Sequence, residues 1–275
     1  MGRARWILLG SVITLGGLGT LVVVAQSWET HTTKGIEWVV QERRVSLYDK
    51  ALAFLYRDRS YRQLVRDVVP PGKSGEEAIL ALLAWTRERV RPRPENLPRI
   101  DDHPLNIIIR GYGYGEQAVD VLCVLSTYAG YPCQMVYVEG QEQDVRESFI
   151  VAAAYVKSRW VYIDVIHDVY FRRADKGLAG LRDLVEQPKA LVPNRSPLPN
   201  VRGVPYEKFL KSIKPISQFS YVRGHLQMPL PRILHEAKRR LGLTPLVILF
   251  WNFPEKRRNP PGPKRGRFPK PKEDP

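Results

Sequence analysis

The order of patterns between residues 115 and 165 constrains the fold of this chain more than any other feature. An apolar helical pattern over Gly115–Ala129, with Ala118, Val121, Leu122 and Leu125 on one face, runs into two strand patterns, Cys133–Glu139 (CQMVYVE) and Phe149–Val156 (FIVAAAYV). A turn at Lys157-Ser158-Arg159 leads to a third, Trp160–Val165 (WVYIDV). Apolar residues at three- and four-residue steps predict a helix, and short β-branched and aromatic runs between turn residues predict strands. No crossover helix separates the three strands, so the order predicts an α+β domain in which a helix packs on an antiparallel sheet. The helix opens at a Gly-rich turn, RGYGYGEQ (Arg110–Gln117). A helix N-terminus stabilises a developing negative charge, which suits a nucleophile. The residue standing there is Gly115, which has no side chain.

The flanks extend this core. Gln26–Gly35 reads as a polar linker, and residues 36–69 carry helical patterns, with Val45, Tyr48, Leu52 and Leu55 in step, ended by Pro70-Pro71. Ser74-Gly75-Glu76-Glu77 reads as a capping box opening a second helix through Ile79, Leu82, Leu83 and Thr86. Residues 188–232 are Pro-rich and predicted irregular. PRILHEAKRRLG is a short amphipathic helix stopped by Gly242. Pro245–Phe253 (PLVILFWNF) is too short to span a bilayer as a helix; a strand, a buried segment or an interfacial anchor fits it, with burial in the domain the expectation. The organisation is therefore an anchor over 1–28, a helical part over 36–95, a core over 96–187, an extension over 188–253 and a tail over 254–275.

Trp6–Ala25 carries no charge over 20 residues. At roughly 1.5 Å per residue such a helix spans one bilayer core of about 30 Å. Arg3 and Arg5 precede it, so the positive-inside rule predicts a cytoplasmic N-terminus and an extracytoplasmic domain. Cleavage after the small residues Val23 and Ala25, giving a secreted protein, is the alternative; the apolar run is longer than a usual signal core, which favours an uncleaved signal anchor. The chain of 275 residues has a net charge of +15. That balance favours an acidic partner: anionic lipid, nucleic acid or an acidic glycan. Nucleic acid suits an exported domain poorly. The tail 254–275 holds eight Lys/Arg, three Asp/Glu and seven prolines. It is expected to be disordered and able to bind an anionic membrane surface or polyanion. The two cysteines lack zinc-site spacing; a bridge between them would require export, and two buried thiols are the expectation. No cofactor or metal is predicted.

Residues 110–171 resemble the core of the transglutaminase-like superfamily, whose fold is that of the papain-like cysteine peptidases. The resemblance rests on GYGYGEQA, AGYP, SFIVAAAYVKSRW and WVYID, in that order. It implies a Cys at the helix start as nucleophile, a His at the head of the next strand but one as general base, and an Asp four residues beyond a Trp to orient that His. Matched residue by residue, the Cys position falls on Gly115, the His position on Phe149 directly after Ser148, and the Asp position on Asp164. A Glu often found four residues after the His corresponds to Ala153. Gly offers no nucleophile and Phe accepts no proton.

Three readings follow. The first is a membrane-anchored, catalytically inactive transglutaminase-like protein that binds a peptide, glycan or protein partner in the former cleft. The second is an active thiol peptidase or amidase with a relocated nucleophile, for which Cys133 and His167 are the best rescue pair. The third is a basic module that binds membrane or polyanion. Resemblance to cell-envelope and exported-polysaccharide systems is an association by family. Ser148 is a hydroxyl without a recognisable base, His103 reads as a loop residue, and His225 and His235 are expected to face solvent. Asp164 is expected to cap a turn or to pair with a surface Arg.

Overall fold

The computed structural model describes residues 17, 19–20, 22–36, 39–73, 75–101, 103–139, 148–201, 203–210 and 223–242. Most of Trp6–Ala25, all of Pro245–Phe253 and the tail 254–275 lie outside the described residues. Among the described residues no helix is long and apolar enough to cross a membrane.

The region expected to be a linker and the start of a helix is instead a β-hairpin. Glu29–Ile36 (β1) and Val39–Ser46 (β2) pair antiparallel, with Glu29 opposite Ser46 and Ile36 opposite Val39. Thr30, Thr32 and Thr33 on one strand and Val39, Val40 and Val45 on the other are β-branched, which suits a pleated ribbon. The polar residues that resembled a linker are strand residues. Leu47–Val68 (α1) follows at once, its start fixed by Ser46, whose Oγ accepts the Asp49 N–H at 3.0 Å. Tyr61 on α1 is fully buried, with Leu64, Val65 and Val68 packed beside it. Leu52 and Leu55, read as part of the helical pattern, lie on α1 and face solvent.

Glu76–Arg89 (α2) buries Ala78, Ile79, Leu82, Leu83 and Thr86. Its N-cap is Gly75 at φ 59°, with no side-chain cap, and Ser74 lies outside the described residues. Glu76 Oε2 accepts the Leu178 N–H at 3.0 Å, tying the helix start to a distant loop. Arg91–Pro92 (β3), Ile100–Asp101 (β4), the helix Pro104–Arg110 (α3) and Tyr112–Gly113 (β5) lead into Gly115–Tyr128 (α4); β3 pairs with β5, and β4 adds to β1.

The main sheet is an antiparallel meander. Its strands are Cys133–Glu139 (β6), Ser148–Val156 (β7), Arg159–Asp164 (β8), Val169–Arg172 (β9) and Val192–Pro193 (β10), in spatial order β10-β9-β8-β7-β6. The β7–β8 turn is the two-residue loop Lys157-Ser158, both at positive φ (48° and 64°), the geometry whose twist matches that of the strands. The sheet separates two cores. On one face, Ile150, Ala152, Ala154, Val161 and Ile163 pack under α1, α2 and α4. On the other, Phe149, Val151, Ala153 and Tyr162 pack against Leu181–Glu186 (α5) and Tyr206–Leu210 (α6). The unbroken apolar run FIVAAAYV is thus buried on both sides, and the small Ala152 and Ala154 lie on the face that α4 covers.

The stretch 188–232, expected to be irregular, contains β10, α6 and a 3-10 turn over Arg223–Gln227, followed by Pro229–Arg240 (α7). The 3-10 turn crosses α4 so closely that a Cβ on Gly224 would stand 2.5 Å from Thr127 Cβ and 2.6 Å from its Oγ1. Thr127 cannot turn aside, because its hydroxyl donates to Cys123 O at 2.8 Å and accepts the Cys133 N–H at 3.2 Å. Gly224→Ala is therefore expected to lower stability by about 1–3 kcal/mol, the usual cost of overpacking, read from the midpoint of urea unfolding.

Candidate functional site

The site lies where the end of β8, the start of β7 and the first turn of α4 converge. Asp164 closes β8 on the face away from α4, and it is fully buried. Its carboxylate accepts four hydrogen bonds. Oδ1 takes the backbone N–H groups of Ile166 (2.9 Å) and His167 (3.0 Å); Oδ2 takes His167 Nδ1 and the Tyr206 hydroxyl, each at 2.7 Å. Asp164 thus does cap a turn, but its side-chain partners are a His and a Tyr, not a surface Arg. With Nδ1 donating to the carboxylate, the imidazole lone pair is left on Nε2.

A second polar layer supports the carboxylate. The Tyr162 hydroxyl stands 2.7 Å from the Tyr206 hydroxyl. Since Tyr206 donates to Asp164, it accepts from Tyr162, and the protons run Tyr162, Tyr206, Asp164. Burial, reinforced by the neighbouring carboxylate, pushes both phenols well above their ordinary value, so both remain protonated donors. Tyr206 was invisible to local sequence reasoning: it comes from α6, 42 residues beyond Asp164, inside the stretch read as irregular.

Phe149 fills the position where the resemblance puts a His. Its ring meets His167 edge-on at 5.4 Å between centroids and packs against Tyr206 (5.5 Å) and Phe209 (5.1 Å). The structure therefore brings an imidazole beside the expected His position, but it belongs to His167, reaching in from the turn after β8. Gly115 is likewise occupied by a neighbour. A Cβ built on it would stand 2.6 Å from Ile166 Cδ1 and 2.9 Å from Cγ1. Ile166 takes the space that a nucleophilic side chain would use. The turn that delivers it is held from several directions: Arg87 Nη1 donates to Val165 O at 2.6 Å and Ile166 O at 3.3 Å, Arg87 Nε lies 3.5 Å from Asp168 Oδ1, and Arg195 Nη1 donates to His167 O at 3.1 Å.

The rescue pair is not assembled. Cys133 starts β6 opposite Ala154, whereas Phe149, on which His167 packs, lies opposite Val138 at the other end of that strand. Five residues of strand separate Cys133 from Val138, about 17 Å. Cys133 also points into the helix-side core, where its Sγ lies 3.3 Å from Cys123 Sγ; the two sulfurs form no disulfide, and both are buried. A water-soluble thiol reagent is accordingly expected to modify neither cysteine in the folded protein and both after denaturation, read by intact mass.

Three other sequence readings are corrected. His103 is no plain loop residue: it caps α3, its Nδ1 lies 2.9 Å from the Tyr61 hydroxyl and its Nε2 lies 2.6 Å from Gln227 Oε1. It knits α1, α3 and the 3-10 turn together, and the pattern His-Pro at a helix start was the signal available for it. His235 is buried, and His225 is half-buried, its imidazole held below the ordinary value by burial. Both occur on segments that pack inward on α4 or beside it. Ser148 heads β7, and its side chain lies outside the described placements. Among the described residues no three His, Cys, Asp or Glu side chains come together as a metal-binding group.

The arrangement is an α+β core in which the first turn of α4 lies near the Asp164 that ends β8 and the His167 of the following turn. Residues 62–165 match the transglutaminase-like superfamily. No curated protein matches the chain. Among solved structures, it is similar to a candidate cysteine protease from Cytophaga hutchinsonii (13% identity, 42% of each chain, TM-score 0.34). It is also similar to a TGase (13% identity, 54% of this chain and 46% of that one, TM-score 0.33). A third, a candidate protease from Parabacteroides distasonis, has 10% identity, covers 50% of this chain and 36% of that one, and has a TM-score of 0.30. Each match spans less than half of the other chain.

Proposed function

We propose that this is a membrane-anchored, extracytoplasmic transglutaminase-like protein that has lost acyl-transfer chemistry and acts by binding a peptide, glycan or protein partner at the cell envelope. The observation that carries the reading is the occupation of the nucleophile position: Ile166 stands within 2.6 Å of where a Cβ at residue 115 would be. Thiol acyl transfer needs a nucleophile, a base in hydrogen-bond reach of it, and a group that orients the base. Here the orienting Asp164 and an imidazole remain, with no nucleophile matched to them among the described residues. What remains is a buried, hydrogen-bonded platform with an imidazole edge, suited to accepting or donating a hydrogen bond to a ligand. Trp6–Ala25 supports the anchor, and the basic balance supports an acidic partner, including a polyanion met by the tail 254–275.

The test is activity of the full chain on glutamine-donor and amide substrates, beside the Cys133→Ala and His167→Ala variants. The reading expects no turnover above background from any of the three. An activity lost in both variants would instead establish the relocated-nucleophile enzyme.

A further inference from the structure

The first half of α1 carries an apolar stripe that nothing in the described fold covers. Leu52, Leu55 and Tyr56 are 47%, 53% and 63% exposed. They lie three and four residues apart, on the side of the helix away from Tyr61 and Val65. The hairpin sets where this stripe stands. β1 runs out and β2 returns, so that Leu47 N donates to Trp28 O at 2.8 Å. The start of α1 is thereby brought back beside Trp28, three positions past the end of the Trp6–Ala25 run, and Trp28 is itself 63% exposed.

A second stripe lies on α7, which packs on α1 and on the 3-10 turn. Leu230 and Ile233 are exposed at a three-residue step, while His235 faces inward. Arg232 and Lys238, both exposed, flank the stripe. Scattered exposed apolar residues are ordinary; two exposed apolar stripes on contacting helices, one beside the exit of a 20-residue apolar run, are not. An amphipathic helix with Lys/Arg beside its apolar face lies in the lipid interface, and exposed Trp and Tyr favour the headgroup level.

The geometry points to a lipid-docking face: Trp28, the α1 stripe and the α7 stripe rest on the outer surface of the bilayer that Trp6–Ala25 enters, with Arg232 and Lys238 on anionic headgroups. This rests on the anchor reading above. It holds the domain against the membrane, with α5 and the far face of the sheet turned outward.

The test uses the full chain in vesicles of phosphatidylcholine and phosphatidylglycerol. Single substitutions Leu55→Cys, Ile233→Cys and Glu186→Cys each carry an environment-sensitive fluorophore, the native thiols being buried. Flotation of the vesicles reads the anchor, and quenching by spin-labelled lipid reads the docking. The expected result is co-flotation of all three, with emission at residues 55 and 233 falling about twofold on adding the lipid quencher, emission at 186 unchanged, and weaker quenching in vesicles of phosphatidylcholine alone. Co-flotation without quenching at 55 and 233 overturns the docking face and leaves the anchor standing. A blue shift at those positions without lipid quenching also overturns it, since another protein segment or a second copy then covers the stripes. Failure to float overturns the anchor and, with it, the docking.

Discussion

Asp164→Ala is expected to destabilise the fold by about 3–5 kcal/mol, the range for breaking a buried charged network by removing one partner. The substitution strands two backbone N–H groups, His167 Nδ1 and the Tyr206 hydroxyl in a site closed to water. Asp164→Asn keeps two oxygen–nitrogen contacts but replaces an acceptor with a donor beside Tyr206 or His167, so an intermediate loss is expected. Chemical denaturation of both variants reads the difference. A loss under about 1 kcal/mol for Asp164→Ala would show that the four bonds are dispensable. The prediction reads the structural part of Asp164: its carboxylate caps the turn that sets Ile166 against Gly115.

Phe149→Ala is expected to cost a similar amount, about 3–5 kcal/mol, as lost burial and as an unfilled cavity. The ring touches His167, Tyr206 and Phe209, so its removal also loosens the imidazole. Phe149→Leu, which refills most of the volume, is expected to recover more than half of that loss in the same unfolding experiment. A benign Phe149→Ala would mean that the strand-head position is open space rather than a packed one, and the site a cleft rather than a platform.

Much of this core was legible in the sequence because its signals are local. β6 occupies Cys133–Glu139, the range that its apolar run predicted, and the other two strands differ by one residue at each shifted edge. The Lys157-Ser158 turn was marked by polar residues between two apolar runs. The hairpin of β1 and β2 was not legible as a hairpin, because its strands are polar on most positions and lack an apolar face to betray a period of two. Leu52 and Leu55 lie on a helix as their spacing indicated, but periodicity reports an apolar face without saying what meets it, and here no other element of the described fold does.

The positions Gly115 and Phe149 could be matched from spacing alone, but what surrounds them could not. Ile166 reaches Gly115 only because Asp164 folds the following residues into a turn, and Tyr206 reaches Asp164 only through the packing of α6 on the far face of the sheet. His167 stood three residues from Asp164 in the sequence, a spacing that lets a carboxylate bond both the backbone and the ring of the same neighbour. That local pairing was the more physical one; Cys133 lay at the wrong end of its strand.

The most direct test of the central claim is intact-mass spectrometry of the full chain after incubation with a thiol-directed peptidyl fluoromethylketone and, separately, with an acylating glutamine-peptide substrate. The account predicts an unchanged mass in both, because no nucleophile stands at residue 115 and both thiols are buried away from the Asp164–His167 pair. A stoichiometric adduct on the folded protein, mapped to Cys133 or to any side chain within reach of His167 Nε2, would contradict it.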